Sequence, residues 1–430
     1  MTRPRRARAY PAAMTTTILV MIDGLSADDL RDHPHDLPTL HAVAADGLRV
    51  DRLASSVPAT SLPGRTGIVT GVPPAVHGVY GNVIHDGERF RYANPDDVRV
   101  PTLARRARDA GLDVAVAGYG MIRPDDATTF VGPWWAKEML QRARDAEPVP
   151  ADAGWLRTME AWADARTARL AASGVHVTTP DAYGGDRLHY LMAGLEGDRR
   201  LLRLAAALAT DPTPPDLILT EILIPDSVQH VAGPRTPASV WSLAHADALV
   251  ATLLQDLARA GRRDAVNLVL LSDHGHGAVQ RALYPERLLP DVDAAPEGGA
   301  LFVAVEEGPT RADVEARLAA HDIVPLEPSP IPLGDRARIA AYAAPAGAVF
   351  ERAPDGTPSD ATSGIPGYRS AHGLRPGTPS DDRFLVAAGP DVPTGRIATA
   401  EAEAVEATLA TWLGLAPAGI GRPLRPDGTP

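Results

Sequence analysis

Residues 17–22, Thr-Ile-Leu-Val-Met-Ile, form a nearly continuous apolar run, the pattern of a parallel strand buried on both faces. Residues 266–271 repeat it with one polar interruption at Asn267, and residues 50–53, 113–118, 216–224 and 384–388 read as further strands. Between these runs the apolar spacing turns helical, predicting helices over 37–48, 102–111, 199–209, 238–261 and 401–413. Strands alternating with helices predict an α/β fold with a mainly parallel central sheet and helices on both faces. Two stretches break the alternation. Over 128–198 the periodicity weakens, with Trp134-Trp135, a helix expected at 152–173 and a Gly-rich piece at 183–186, so this stretch reads as an inserted cap. A smaller insertion spans about 289–367, with strands expected at 301–305 and 339–344 and a helix at 311–321. Residues 15–430 otherwise read as one domain behind a disordered tail at 1–14.

The residues with chemistry to offer stand at the ends of the strands. Asp23-Gly24 closes the first run, Asp226 follows the 216–224 strand, and Asp273-His274 closes 266–271. In open α/β sheets the carboxyl edge of the parallel strands is where ligands bind. Asp226 and His230 are four residues apart, and a helical turn opened by Pro225 would put both on one face, a metal-chelating spacing. Ser61 precedes an expected helix start within residues 58–71, where the positive end of a helix dipole favours an alkoxide and an incoming anion. It is the candidate nucleophile, with an ordinary N-cap as its alternative. Adding His372, the candidates split into two metal sets: Asp226, His230 and His372, and Asp23, Ser61, Asp273 and His274. Their nitrogen and oxygen donors suit zinc and are tolerable for manganese. Two ions about 4 Å apart clamp both oxygens of an in-line phosphoryl transfer. Any one of these residues has a plain structural explanation; seven of them, with three acids at strand ends, point to catalysis.

Composition narrows the partners. The 430 residues carry a formal net charge of −12, which argues against a general grip on nucleic acid. There is no cysteine, so thiolate metal sites and disulfides are excluded, and a single lysine, Lys137, leaves nearly all positive charge to arginine. No run approaches the ~20 apolar residues of a membrane span, and no signal-like apolar run follows the basic residues 1–14, where Met14 is an alternative start. The expectation is a cytoplasmic enzyme for a small-molecule substrate, with no nucleic-acid or membrane partner. Trp134 or Trp135 could stack on a nucleobase, although packing in the core is the commoner fate of such residues.

The order Ile22-Asp23-Gly24, residues 58–71, His77-Gly78, Gly81-Asn82, Pro225-Asp226-Ser227 with His230 and Gly233-Pro234, residues 266–275, and His372-Gly373 resembles the alkaline phosphatase superfamily, and within it the nucleotide pyrophosphatase/phosphodiesterase branch. The resemblance runs from residue 18 to about residue 389. It implies an alkaline phosphatase-like fold and a two-metal-dependent hydrolase of phosphate esters, phosphodiesters or nucleotide-type pyrophosphates first. It implies a covalent phospho-Ser61 intermediate that water then hydrolyses. It also gives Asn82 the task of donating a hydrogen bond to a phosphoryl oxygen.

Two departures qualify the resemblance. Where the branch usually reads Pro-Asn-His, this chain has Pro63-Gly64-Arg65, a flexible residue and a fixed positive charge near the phosphate. Arg65 is accordingly a candidate for binding a second anionic group of the substrate, with a structural acid as the alternative partner. Phosphomonoester and phosphonate hydrolysis stay open as alternatives. Ser61-Leu62-Pro63-Gly64-Arg65 also fits the Ser/Cys-x-Pro-x-Arg signature of sulfatases. Against that stand Gly24 after Asp23, His274 after Asp273, and a second ligand set for which a one-calcium site has no use. A non-catalytic metal-binding protein is the remaining alternative, and the intact Ser61 speaks against it.

Overall fold

The structure is a computed structural model that describes residues 15–136, 164–180, 186–305, 310–378 and 381–426. The expectations of a disordered tail at 1–14, of helix over 152–163 and of the Gly-rich piece at 183–185 lie outside the described residues. The central sheet has eight strands: β1 (Thr16–Ile22), β2 (Leu48–Leu53), β3 (Val114–Ala117), β4 (Thr129–Val131), β5 (Leu217–Ile222), β6 (Val266–Leu271), β7 (Arg383–Ala388) and β8 (Gly395–Ala400), in the spatial order β8-β2-β7-β6-β1-β5-β3-β4. Every pairing is parallel except those of β7, which runs antiparallel to both β2 and β6.

Alternate residues of each strand face opposite sides, as a pleat requires. Ile18, Val20 and Ile22 pack on one side with helices α1 (Pro38–Asp46), α4 (Arg187–Ala209) and α6 (Pro237–Arg259), while Leu19 and Met21 pack on the other with α2 (Ser61–Thr70), α3 (Leu103–Asp109) and α7 (Ala404–Trp412). This two-sided burial is why the strands read as unbroken apolar runs. A short helix, α5 (Ile224–Ala232), follows β5 directly. The excursion after β6 builds a separate four-stranded antiparallel sheet, in the order 294–297, 300–304, 339–343 and 324–325, covered by a helix at Arg311–Ala319 and closed by its own core of Leu301, Val303, Val314, Leu318 and Tyr342. No helix among the described residues is long and apolar enough to cross a membrane.

Three elements differ from the pattern reading. The stretch 129–131 is the edge strand of the central sheet, so the core continues past residue 128. The strand Gly395–Ala400 escapes detection because its residues alternate between exposed and half-buried. Helix α4 begins at Arg187 rather than near residue 199, and the reason is its pair of glycines. A Cβ at Gly194 would come within 2.4 Å of Ile224 and 2.6 Å of Trp134, and one at Gly197 within 2.5 Å of Trp134. Glycines that read as helix breakers instead form a socket for the fully buried Trp134 indole. That side chain takes the core role, its Nε1–H donating to Asp198 at 2.8 Å. Gly197→Ala is therefore expected to lower stability by about 1–2 kcal/mol, the overpacking cost exceeding the gain in helix propensity. Gly334→Ala, whose Cβ meets open space, should stay within about 0.5 kcal/mol of wild type; chemical denaturation of both variants checks the contrast.

Candidate active site

Strands β6, β1 and β5 are parallel neighbours, so their carboxyl ends lie side by side and deliver Asp273, Asp23 and Asp226 to one edge. Asp23 ends β1 through Gly24, whose φ of +74° suits glycine and whose missing Cβ avoids the His276 ring, which it would otherwise approach to 2.8 Å. Asp226 and His230 share one face of α5. That helix has no side-chain cap of its own; Asp198 of α4 reaches across and accepts from the N–H groups of Leu223 and Ile224, both at 3.0 Å. A buried side chain thus satisfies orphan donors at the helix start, and burial lifts the Asp198 carboxyl to about 7.

Ser61 is the first residue of α2, and the flanking Thr60 occupies the cap position without a side-chain capping bond. The Ser61 hydroxyl does not cap either: its Oγ lies 3.0 Å from His274 Nε2. His274 Nδ1–H donates to the Gly275 carbonyl at 3.0 Å, which turns the Nε2 lone pair inward. Asp23 Oδ1 is 3.3 Å from the same Nε2. Across from this group, His230 Nδ1–H donates to the Ser370 carbonyl at 2.9 Å, leaving its Nε2 3.3 Å from Asp226. His372 stacks between the halves, its ring centroid 3.9 Å from that of His274 and 5.0 Å from that of His230. Structure thus brings together all seven residues singled out for the two metal sets.

The grouping differs in two respects: His372 falls with Asp226 and His274 rather than with His230, and His276 joins Asp226 and His230. Ligand-capable atoms cluster as Asp23, Asp273 and His274; as Asp226, His274 and His372; and as Asp226, His230 and His276, each within 4.8 Å. His276 is a residue that sequence reasoning passed over. It is buried, with Nε2 2.8 Å from Asp226 and Nδ1 3.0 Å from the Ser370 hydroxyl. Its signal was present in Asp273-His274-Gly275-His276, where a second imidazole returns to the same edge.

These residues fit divalent cations. Among the described residues, buried Asp23 Oδ1, Asp273 Oδ2 and His372 Nδ1 make no hydrogen bond; the two oxygens have only the longer ion-pair contacts to His274 at 3.3 Å and Arg65 at 3.2 Å, an expensive arrangement unless a further group satisfies them. Burial, with Asp273 next, pushes the Asp23 carboxyl well above the usual range against the pull of Arg65, so this pocket calls for more positive charge. Burial and the neighbouring His274 hold His372 well below the ordinary imidazole value, in the neutral form a metal ligand needs. The donor set of imidazole and carboxylate matches transition-metal chemistry.

Arg65 corrects an expectation. Its guanidinium is 1% exposed and all three nitrogens meet acids: Nη2 to Asp23 at 2.5 Å, Nε to Glu221 at 3.2 Å and Nη1 to Asp273 at 3.2 Å. The structure favours the structural-acid alternative: Arg65 reaches the cavity wall, but three of its five N–H donors are matched to buried carboxylates, which fits it as a brace behind the candidate ligands rather than as the receiver of a second anion. Burial works against its charge, yet Asp23 and Glu221 hold it protonated. Glu221 was also missed, although a carboxylate inside an apolar strand is itself a signal; it further accepts from Trp135 Nε1. Trp135 lies against Arg65, with the guanidinium carbon 5.3 Å from its ring. Gly64 is not a hinge but a contact point: a Cβ there would stand 2.6 Å from the Asp273 carbonyl oxygen.

Asn82 faces the same cavity of about 400 Å³, which Ser61, Asp23, Asp226 and His372 also line. Its Oδ1 accepts from the Leu62 N–H at 2.8 Å, so its amide N–H groups are the ones left for a ligand. Glu297, from the small antiparallel sheet, holds the Asn82 backbone N–H at 2.9 Å and was not foreseen.

The family model for type I phosphodiesterase / nucleotide pyrophosphatase matches residues 17–348. A curated relative, an uncharacterized pyrophosphatase/phosphodiesterase of Schizosaccharomyces pombe, is 24% identical over 272 residues, which are 61% of this chain and 44% of the relative. The chain thus spans less than half the length of that relative. Among solved structures, human ectonucleotide pyrophosphatase/phosphodiesterase 5 superposes with a TM-score of 0.67 at 16% identity, covering 94% of this chain and 97% of its own. An inactive variant of the murine protein in complex with AMP gives 0.65 at 16% identity, covering 94% and 96%. These structures share the fold.

Burial raises Glu297 from 4.5 to about 8. A raised folded-state value means that its contribution to stability is complete below about 4.5 and is lost as pH climbs through about 8. Glu297→Gln should therefore gain stability relative to wild type between about pH 5 and pH 9, read as the difference in urea midpoints at each pH.

Proposed function

Because the chain belongs to the type I phosphodiesterase / nucleotide pyrophosphatase family, we propose that it hydrolyses phosphodiester or pyrophosphate bonds of small nucleotide-type substrates through Ser61, with two divalent metal ions. Zinc is the first choice and manganese the alternative. The observation that carries this reading is the convergence of Ser61 Oγ, His274 Nε2 and Asp23 Oδ1, with His372 stacked on His274 and Asp226 and His230 lining the same cavity as Ser61 and Asp23. Asp23, Asp273 and His274 would hold one ion beside Ser61, and Asp226, His230 and His372 the other, with His276 supporting Asp226. When bound, such ions supply Lewis acidity and lower the pKa of a hydroxyl.

The chain's own residues set the rest. Ser61 is aimed from the first turn of α2, where the helix N-terminus favours a phosphoryl anion. As the Ser61 oxygen–phosphorus bond forms, the bond to the leaving oxygen on the opposite side breaks, and a water later releases phosphate monoester and restores the serine. Asn82 donates to a non-bridging oxygen, its orientation set by Leu62. Trp135 and Leu223 supply apolar wall to the same cavity, and the AMP complex of the murine neighbour supports a nucleotide-type occupant.

Two measurements test the reading. Zinc-loaded protein should turn over a nitrophenyl phosphodiester with higher kcat/KM than the matched monoester, phosphonate or sulfate. A monoester or phosphonate preference would move the assignment to those alternatives, and activity on the sulfate alone would overturn the two-metal account. Ser61→Ala should abolish turnover while metal content, read by elemental analysis, is retained; Asn82→Ala should cost about 3 kcal/mol of transition-state stabilisation, roughly 100-fold in kcat/KM.

A further inference from the structure

With Arg65 committed to three carboxylates, the second cation on the cavity wall becomes informative. Arg187, at the first turn of α4, lines the cavity with Tyr368, Ser227 and His230. Its guanidinium carbon lies 5.6 Å from the Tyr368 ring centroid, and Nη2 is 3.4 Å from the Ser227 carbonyl oxygen, one residue from Asp226. The Tyr368 ring in turn lies 4.6 Å from the ring of His230. Among the described residues, no carboxylate lies within ion-pair distance of Arg187. The adjacent Asp186 also lines the cavity, but its carboxylate caps α4 by accepting the His189 N–H at 2.9 Å and makes no ion pair with Arg187. An exposed guanidinium with an aromatic platform, an anchoring carbonyl and no anion is built to receive one.

Its position says which part of a substrate that anion belongs to. Ser61 approaches phosphorus from the wall of Asp23 and His274. In-line displacement sends the leaving oxygen away from Ser61, and His230, Tyr368 and Arg187 line the cavity beside Asp226 and Ser227 rather than at the Ser61–His274 contact. We propose that Arg187, supported on Tyr368, is a leaving-group subsite, and that it selects esters whose leaving group carries its own negative charge, as inorganic pyrophosphate does. This rests on the phosphodiesterase reading and adds to it a specificity-determining residue.

Two substrates with the same nucleotidyl group separate the inference from its premise: thymidine 5′-(p-nitrophenyl phosphate), whose nitrophenyl substituent is uncharged, and thymidine 5′-triphosphate, which releases pyrophosphate. Arg187→Ala should lower kcat/KM for the triphosphate about 10- to 100-fold more than for the nitrophenyl ester, the range of a lost charge-assisted hydrogen bond. Arg187→Lys should recover part of the difference. The inhibition constant of inorganic pyrophosphate, read against the nitrophenyl ester, should rise in parallel in Arg187→Ala. Equal losses on both substrates, an unchanged inhibition constant, or wild-type turnover of the nitrophenyl ester without the triphosphate would each overturn the subsite alone. Wild-type turnover of neither would overturn the phosphodiesterase reading, and the subsite with it.

Discussion

Asp23, Glu221 and Asp273 are buried within reach of one guanidinium, and the site depends on how that charge is managed. Carboxylates taken out of water repel one another and lose hydration, and they persist only when paired. Arg65 meets all three at 2.5 to 3.2 Å. Because it lies one helical turn after Ser61, both side chains leave the same face of α2, and anchoring the arginine also sets where the serine points. Gly64 permits this, since any larger residue would push the helix off the Asp273 carbonyl. One turn of helix therefore fixes the brace, the close approach and the nucleophile together.

The opposite half is held by different means. Asp198 seats the start of α5 and so places Asp226 and His230, while Trp134 in the glycine socket of α4 keeps Asp198 in register. Ser370 accepts from His230 through its carbonyl and sits against His276 through its hydroxyl. Such outer contacts orient ligands and set which imidazole nitrogen is available. The two halves meet at His372, stacked on His274.

The parallel strands and their terminal acids were legible in the sequence because burial on both faces leaves uninterrupted apolar runs, and an acid closing such a run stands out. Asp23, Asp226 and Asp273 could be placed at one edge from that alone. Helix α4 was half hidden, since Gly194 and Gly197 imitate breaks when their function is to admit an indole. Glu221, His276 and Glu297 escaped for a shared reason: each acts across a long sequence separation, on Arg65, Asp226 and Asn82 respectively. Local pattern carries no record of such pairings. Arg65 was visible as a charge near the serine, but its partners were not, and partners decided its role.

Glu297 belongs to the small antiparallel sheet, and the next turn of that sheet binds the site again, with the Gly299 N–H donating to the His372 carbonyl at 3.1 Å. The sheet is thus a strut rather than an appendage. An engineer who trimmed the chain to its parallel core would keep the acids of β1, β5 and β6 and the serine of α2. The trimmed protein would nevertheless lose the backbone tether of Asn82 and the rest on which His372 lies. Minimal versions of this scaffold are bounded by that strut, and grafts that vary substrate preference are safer on the rim around Arg187 and Tyr368 than in the hairpin that bears Glu297.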